Sequence, residues 1–96
     1  MTVRLRPEAE SDLDETARWY EAQRSGLGSE FLDEVLRALS AISDQPEGFP
    51  VVHREIRRAI TRRFPFGVYF LVGRTDLIVL AIMHGSRDPS SWKSRT

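Results

Sequence analysis

The chain has 96 residues, of which 41% are hydrophobic, enough for one small two-layer core and a single domain over residues 1–96. It contains no cysteine, which excludes a disulfide framework and a cysteine zinc site. The net charge is zero, but residues 1–48 hold eleven acidic residues against five arginines, whereas residues 49–96 hold nine basic residues against three acidic ones. The basic half suggests an anionic partner, either nucleic acid or an acidic peptide, although two faces that attract each other explain the same asymmetry.

The hydropathy pattern leaves no room for a transmembrane helix. The longest apolar run, Leu77–Met83, is far shorter than the roughly 20 residues that a bilayer crossing needs. The first ten residues lack the apolar stretch of a signal peptide. We therefore expect a cytoplasmic protein without membrane contact.

The first half of the chain predicts a strand followed by two helices. Thr2–Arg6 alternates apolar and polar residues, as a half-buried strand does. Apolar residues at helical spacing predict a helix over residues 8–24, with Pro7 at its first position. After the Gly26–Gly28 connection, Ser29 is a candidate cap for a second helix that ends near Pro46. A link this short predicts an antiparallel helical hairpin.

The second half changes to the two-residue period of strands. Ile56–Arg62, Val68–Val72 and Leu77–Met83 are predicted strands, and short links between them indicate an antiparallel meander. The predicted fold class is therefore α+β, with an N-terminal strand and a helical hairpin packed on a small antiparallel sheet.

Several residues are expected to form or cover the core. Trp92 should pack back on the sheet as an anchor for the C-terminal tail, although an exposed aromatic that binds a partner is the alternative. The residues predicted to lie between helices and strands are Leu36, Leu39, Val79 and Leu80.

The most distinctive chemistry in the sequence is a run of arginines around the first strand of the meander. Alternation places Arg58 and Arg62 on one face and Arg57 and Arg63 on the other. Planar guanidinium groups suit phosphate or carboxylate recognition. The alternative is that these charges only protect an exposed strand from pairing with other chains.

The two histidines offer little support for a metal or cofactor. His53 and His84 have no partners at metal-ligand spacing, so we expect neither. His84 ends the last strand near Arg87, where it is either a general acid or a strand-end residue that hydrogen-bonds the backbone.

The segments RRAITRRFPFGVYFLV and IVLAIMHGSRDPSSWKSR resemble the ParE branch of the RelE/ParE superfamily of bacterial toxins from type II toxin–antitoxin modules. The matching residues are Arg63–Phe66, with its Phe-Pro-aromatic turn, and the C-terminal motif formed by His84, Arg87–Pro89 and Trp92. The resemblance covers nearly the whole chain and implies the architecture predicted above.

The resemblance also implies partners. ParE-like members inhibit DNA gyrase and are neutralised by a cognate antitoxin, here expected to bind through an acidic, partly disordered segment in a hetero-oligomer. The candidate partner-binding residues are Arg58, Arg62, Arg63, His84, Arg87, Trp92 and Arg95.

Two other functions remain open. RelE-like members are ribosome-dependent mRNA endonucleases, and here Glu55 as base, Arg62 and Arg63 at the phosphate, and His84 as acid are the candidate catalytic set. The absence of a tyrosine after Tyr69 disfavours this function. The third possibility is a nontoxic partner-binding module of the same fold.

Overall fold

The computed structural model describes all of residues 1–96. Five strands and three helices follow one another along the chain, with a 3-10 turn at Pro46–Gly48 after the second helix. They are β1 (Thr2–Leu5), α1 (Pro7–Gln23), α2 (Leu27–Asp44), β2 (Val51–His53), β3 (Ile56–Ile60), β4 (Phe66–Val72), β5 (Asp76–His84) and α3 (Ser90–Lys93). The predicted α+β class, helical hairpin and three-stranded meander are confirmed.

The strands form one sheet in the order β1-β5-β4-β3-β2. The pairs β2–β3, β3–β4 and β4–β5 are antiparallel. β1 lies parallel to β5, with Thr2 paired to Asp76 and Leu5 to Val79. A bulge at Leu80 interrupts the pairing of β4 and β5, because Tyr69 faces Ala81 and Phe70 faces Val79. β5 lies inside the sheet, between β1 and β4, as its unbroken apolar sequence predicts.

The helical hairpin covers one face of the sheet and buries the larger part of the core. Four aromatic rings meet where the hairpin crosses the β3–β4 turn: Tyr20 of α1, Phe31 of α2, and Phe64 and Phe66 of the turn, with ring centroids 4.8–6.2 Å apart. Thr61 closes the base of this turn, where its hydroxyl donates to the carbonyl of Phe64 and accepts the N–H of Phe66. These contacts fix the Phe-Pro-Phe segment against both helices.

A second, smaller core lies on the opposite face of the sheet. Trp92 of α3 stacks on Tyr69 at 4.4 Å between centroids and is buried, as predicted for an anchor of the tail. The Tyr69 ring in turn lies over Gly67, where an added Cβ would be 2.9 Å from the ring. Only glycine leaves this ring the space to stack under Trp92.

Three details of the sequence-based prediction are wrong. Ser29 does not cap α2, which starts at Leu27, because the carboxylate of Glu21 accepts the N–H groups of Gly26 and Gly28 and takes the place of a cap. Leu36 is not in the core; 62% of it is exposed, because Val35 occupies the inward position next to it. Leu80 is buried, but it lies in the second core on the face of the sheet away from the hairpin and not between helices and strands. Strand β2 was not predicted.

The tail also holds the short helix α3, which the sequence did not indicate. Its start is stabilised by Asp88, whose carboxylate accepts the N–H of Ser90, and this hydrogen bond lowers the pKa of Asp88. None of the helices combines the length and apolarity that a bilayer crossing requires.

We expect Leu80→Ala to lower the free energy of unfolding by about 2–5 kcal/mol, because Leu80 is fully buried in the second core and its removal leaves a cavity. Leu36→Ala is the matched control and should cost less than about 0.5 kcal/mol, since that side chain is exposed. Urea unfolding of both variants measures the difference. Equal losses would contradict the assignment of Leu80 to the core.

Candidate partner-binding surfaces

The face of the sheet opposite the helical hairpin carries a basic cluster around Trp92. Arg58 belongs to it, because Arg58 is paired across the strands with Tyr69, on which Trp92 stacks. The His53 ring is 6.2 Å from the Trp92 ring, and the Lys93 ammonium lies 5.8 Å from it. We call His53, Arg54, Arg58 and Lys93 the basic face.

Two observations indicate that the basic face lacks counter-charges. The pKa of His53 is lowered by partial burial and by the positive charges of Lys93 and Arg54. The Nε atom of Arg58 is buried without a hydrogen-bond partner, which is costly for a charged group. An anion bound here would relieve the repulsion and place a negative charge beside Arg58.

Arg62 and Arg63 lie elsewhere, at the corner between β3 and β4. Arg63 forms an ion pair with Glu30 of α2, and this hydrogen bond lowers the pKa of Glu30. The backbone N–H of Arg62 donates to Glu34, while its side chain is exposed. Part of the basic charge predicted for partner binding is therefore used to hold the helical hairpin against the sheet.

His84 and Arg87 lie at the end of β5, beside α1. The Nδ1 atom of His84 accepts the backbone N–H of Ser86 at 3.1 Å and lies 2.7 Å from the Ser86 hydroxyl. A general acid needs a proton on both ring nitrogens, so an imidazolium here would have to break the bond to the Ser86 N–H. The hydrogen bond supports the strand-end role of His84.

The register of the sheet places Glu55 and His84 far apart, which disfavours the alternative acid–base pair. Glu55 lies in the tight β2–β3 turn, just before Ile56, at the level of Leu77 in β5. His84 is at the other end of the same strand, a distance of about 20 Å at roughly 3.3 Å per residue. Arg62 and Arg63 are near the His84 end of the sheet, so the four residues do not form one site.

Arg95 is held inside the molecule and is not a free donor. Its guanidinium donates to the carboxylate of Asp12 at 2.6 Å and to the carbonyl of Leu80 at 3.0 Å, and four-fifths of its side chain is covered. The same carboxylate accepts the N–H of Ile82, beyond the end of β1, and Arg6 donates to the carbonyl of Arg95. We call these contacts of Arg95 with Asp12, Leu80 and Arg6 the tail lock. Together with the packing of Trp92, the tail lock holds the C-terminal tail, which contains Arg87, against the rest of the domain.

Two residues with an obvious place in a binding surface were missed in the sequence. Trp19 is 59% exposed and, with Glu15, lines an open cleft next to His84. The signal was present, because Trp19 interrupts the polar side of an amphipathic helix whose apolar stripe is Leu13, Ala17 and Tyr20.

The fold is a small α+β domain. A helical hairpin packs on one face of a mostly antiparallel sheet and the C-terminal tail packs on the other, with a candidate binding surface on each side. A solved structure described as "Chromosomal ParDE TA system from P. aeruginosa" shares this fold, with a TM-score of 0.78 at 17% sequence identity. The match covers 88% of this chain and 95% of that one. No curated protein matches the sequence.

The sequence itself matches the family model for the ParE toxin of type II toxin–antitoxin systems, parDE, over residues 3–89. The chain therefore belongs to the ParE toxin family. The family match includes the Phe-Pro-Phe turn, His84 and the Arg87–Pro89 motif, and it confirms the resemblance drawn from those residues.

We expect Asp12→Ala to lower the free energy of unfolding by about 2–3 kcal/mol, because it leaves the N–H of Ile82 and the largely buried guanidinium of Arg95 without their carboxylate acceptor. Acrylamide quenching of Trp92, measured in a Trp19→Phe background, should increase as the tail loosens. Asp14→Ala is the control, since Asp14 is exposed on the same helix. Equal effects of the two substitutions would contradict the tail lock.

Proposed function

We propose that this chain is a cytoplasmic toxin that inhibits DNA gyrase by protein–protein contact and is neutralised by a cognate antitoxin. The observation that carries the choice between inhibitor and nuclease is the distance of about 20 Å between Glu55 and His84. Acid–base cleavage of RNA needs both groups at one phosphate, whereas inhibition by contact needs only a complementary surface.

The antitoxin is proposed to bind the basic face through an acidic segment that is partly disordered when free. Carboxylates of such a segment would add negative charge beside Arg58 and offset the repulsion among His53, Arg54 and Lys93. Binding would then raise the pKa of His53, so that protonation and binding reinforce each other. Folding on binding lets a short segment cover a large surface.

We expect Arg58→Glu to weaken antitoxin binding and to reduce its dependence on salt, because the substitution removes a cation from the interface and adds a repulsive charge. Arg62→Glu should act in the same direction but less strongly, since Arg62 is exposed at the β3–β4 corner, outside the basic face, and acts there only through its charge. Arg74→Glu, in the exposed β4–β5 turn, is the control and should leave affinity unchanged. Calorimetric titration at several salt concentrations measures all three, and an unchanged affinity and salt slope for Arg58→Glu would refute the assignment.

Substitution of His84 distinguishes the proposed inhibition of gyrase from the alternative ribonuclease activity. We expect His84→Gln to leave most of the growth inhibition intact, because glutamine keeps hydrogen-bonding capacity but cannot act as an acid. Arg87→Ala should reduce inhibition more, since it removes an exposed forked donor beside the cleft.

Purified protein should slow supercoiling by gyrase and leave mRNA on programmed ribosomes uncut. Cleavage in the ribosomal A site that is lost in His84→Gln would replace the gyrase proposal with the ribonuclease. A wild-type chain that neither inhibits growth nor slows gyrase would favour the nontoxic module.

A further inference from the structure

A cleft opens between α1 and the end of β5, on the helical side of the sheet. Its volume is about 320 Å³, and six residues line it: Glu15, Thr16, Trp19, Tyr20, Phe66 and His84. A smaller cavity of about 120 Å³ adjoins it and shares four of these residues. The cleft is thus large enough for the end of one long side chain and is open to solvent.

The walls of the cleft are aromatic. The rings of Trp19 and Tyr20 meet edge to face at 5.2 Å, and Phe66 lies 6.2 Å from Tyr20 and 5.5 Å from the His84 ring. Most of Trp19 is exposed, so one face of the indole is available to a ligand. The negative face of an aromatic ring attracts cations, and the attraction is strongest for tryptophan.

The cleft also contains a carboxylate without a counter-ion. Glu15 takes part in none of the ion pairs, whereas Asp12, three residues earlier, is paired with Arg95. The helix around Glu15 is strongly acidic, since α1 contains six carboxylates and one arginine. Arg87, the one arginine or lysine among the lining residues of the two cavities, borders the smaller cavity, which Glu15 also lines, but it forms no ion pair with Glu15.

From the unpaired Glu15 and the exposed indole of Trp19, we propose that this cleft is a socket for an arginine or lysine side chain of the toxin's target protein. An acidic antitoxin segment would be repelled by α1 and belongs on the basic face, across the sheet. The cation, by contrast, would gain the Glu15 carboxylate and the faces of the aromatic rings. That the basic side chain belongs to the target protein rests on the proposed function. The preference of the cleft for a cation does not depend on it.

The cation preference is tested with two short peptides, acetyl-Leu-Arg-Leu-amide and its citrulline counterpart, which is isosteric but neutral. In NMR titrations the arginine peptide should shift the indole N–H of Trp19 saturably and bind about tenfold more tightly than the citrulline peptide. Glu15→Gln should abolish this difference, and Asp14→Asn, on the same helix but outside the cleft, should preserve it. Equal binding of both peptides, or no shift of Trp19 at about 20 mM peptide, would overturn the socket.

The role in target binding is tested with the toxin and its partners. Glu15→Lys and Trp19→Ala should lower inhibition of growth and of gyrase about tenfold or more, with Glu15→Gln intermediate, while antitoxin affinity stays unchanged. Because both side chains are exposed, the variants should unfold at the wild-type urea concentration. Loss of antitoxin binding with full inhibition would assign the socket to the antitoxin and refute the proposal. A wild-type chain without toxicity would refute the claim that a target protein occupies the cleft. The peptide titration would still decide whether the cleft prefers a cation.

Discussion

The packing of the hairpin on the sheet depends on one aromatic cluster, formed by Tyr20, Phe31, Phe64 and Phe66. These rings come from both helices and from the β3–β4 turn, so a single cluster joins the hairpin to the sheet. Aromatic pairs of this geometry contribute about 0.5–1.5 kcal/mol each beyond the area they bury. The main role of the Phe-Pro-Phe segment is therefore to pack the helices on the sheet. Its one link to a candidate binding surface is Phe66, which also lines the cleft between α1 and β5.

The sheet separates two surfaces of opposite character. The carboxylates of α1 lie on the helical side, whereas on the other side His53 and Lys93 lie beside Trp92 and Arg58 lies beside Tyr69. The charge asymmetry along the sequence is thus an asymmetry in space. Attraction between the two halves accounts for part of the asymmetry, because Glu30 and Arg63 form an ion pair within the molecule. Glu15 and Arg58 take part in none of the ion pairs.

Periodicity predicted the elements whose burial repeats regularly. It located both helices and β3 to β5 within a few residues, since each has one continuous apolar face. It missed β2, because the β2–β3 turn is made by Arg54 with a positive φ of 51°, a conformation for which the usual sequence signals are glycine and asparagine. It placed Leu36 in the core because neighbouring apolar residues on a helix, here Val35 and Leu36, compete for one inward position.

The candidate surfaces were less predictable than the fold. Arg58 was found from the sequence because strand alternation decides its face, and the burial of Trp92 followed from the position of the tail. The pairing of Arg95 with Asp12 and the distance between Glu55 and His84 depend on tertiary register, which local pattern does not contain. Trp19 needed the structure to show that its exposed ring meets the end of β5.

The parallel pairing of β1 with β5 has a consequence for how the chain folds. Thr2 finds its partner only at Asp76, so the sheet cannot close until most of the polypeptide has been synthesised. The loop to be closed is long, and contacts between distant parts of a sequence slow folding. A nascent chain that stopped before Asp76 would lack β5, so β1 would have no partner and the apolar side of the hairpin would be only partly covered by β2, β3 and β4. Such a fragment would be a substrate for proteases, and full-length synthesis is thus a condition for an ordered protein.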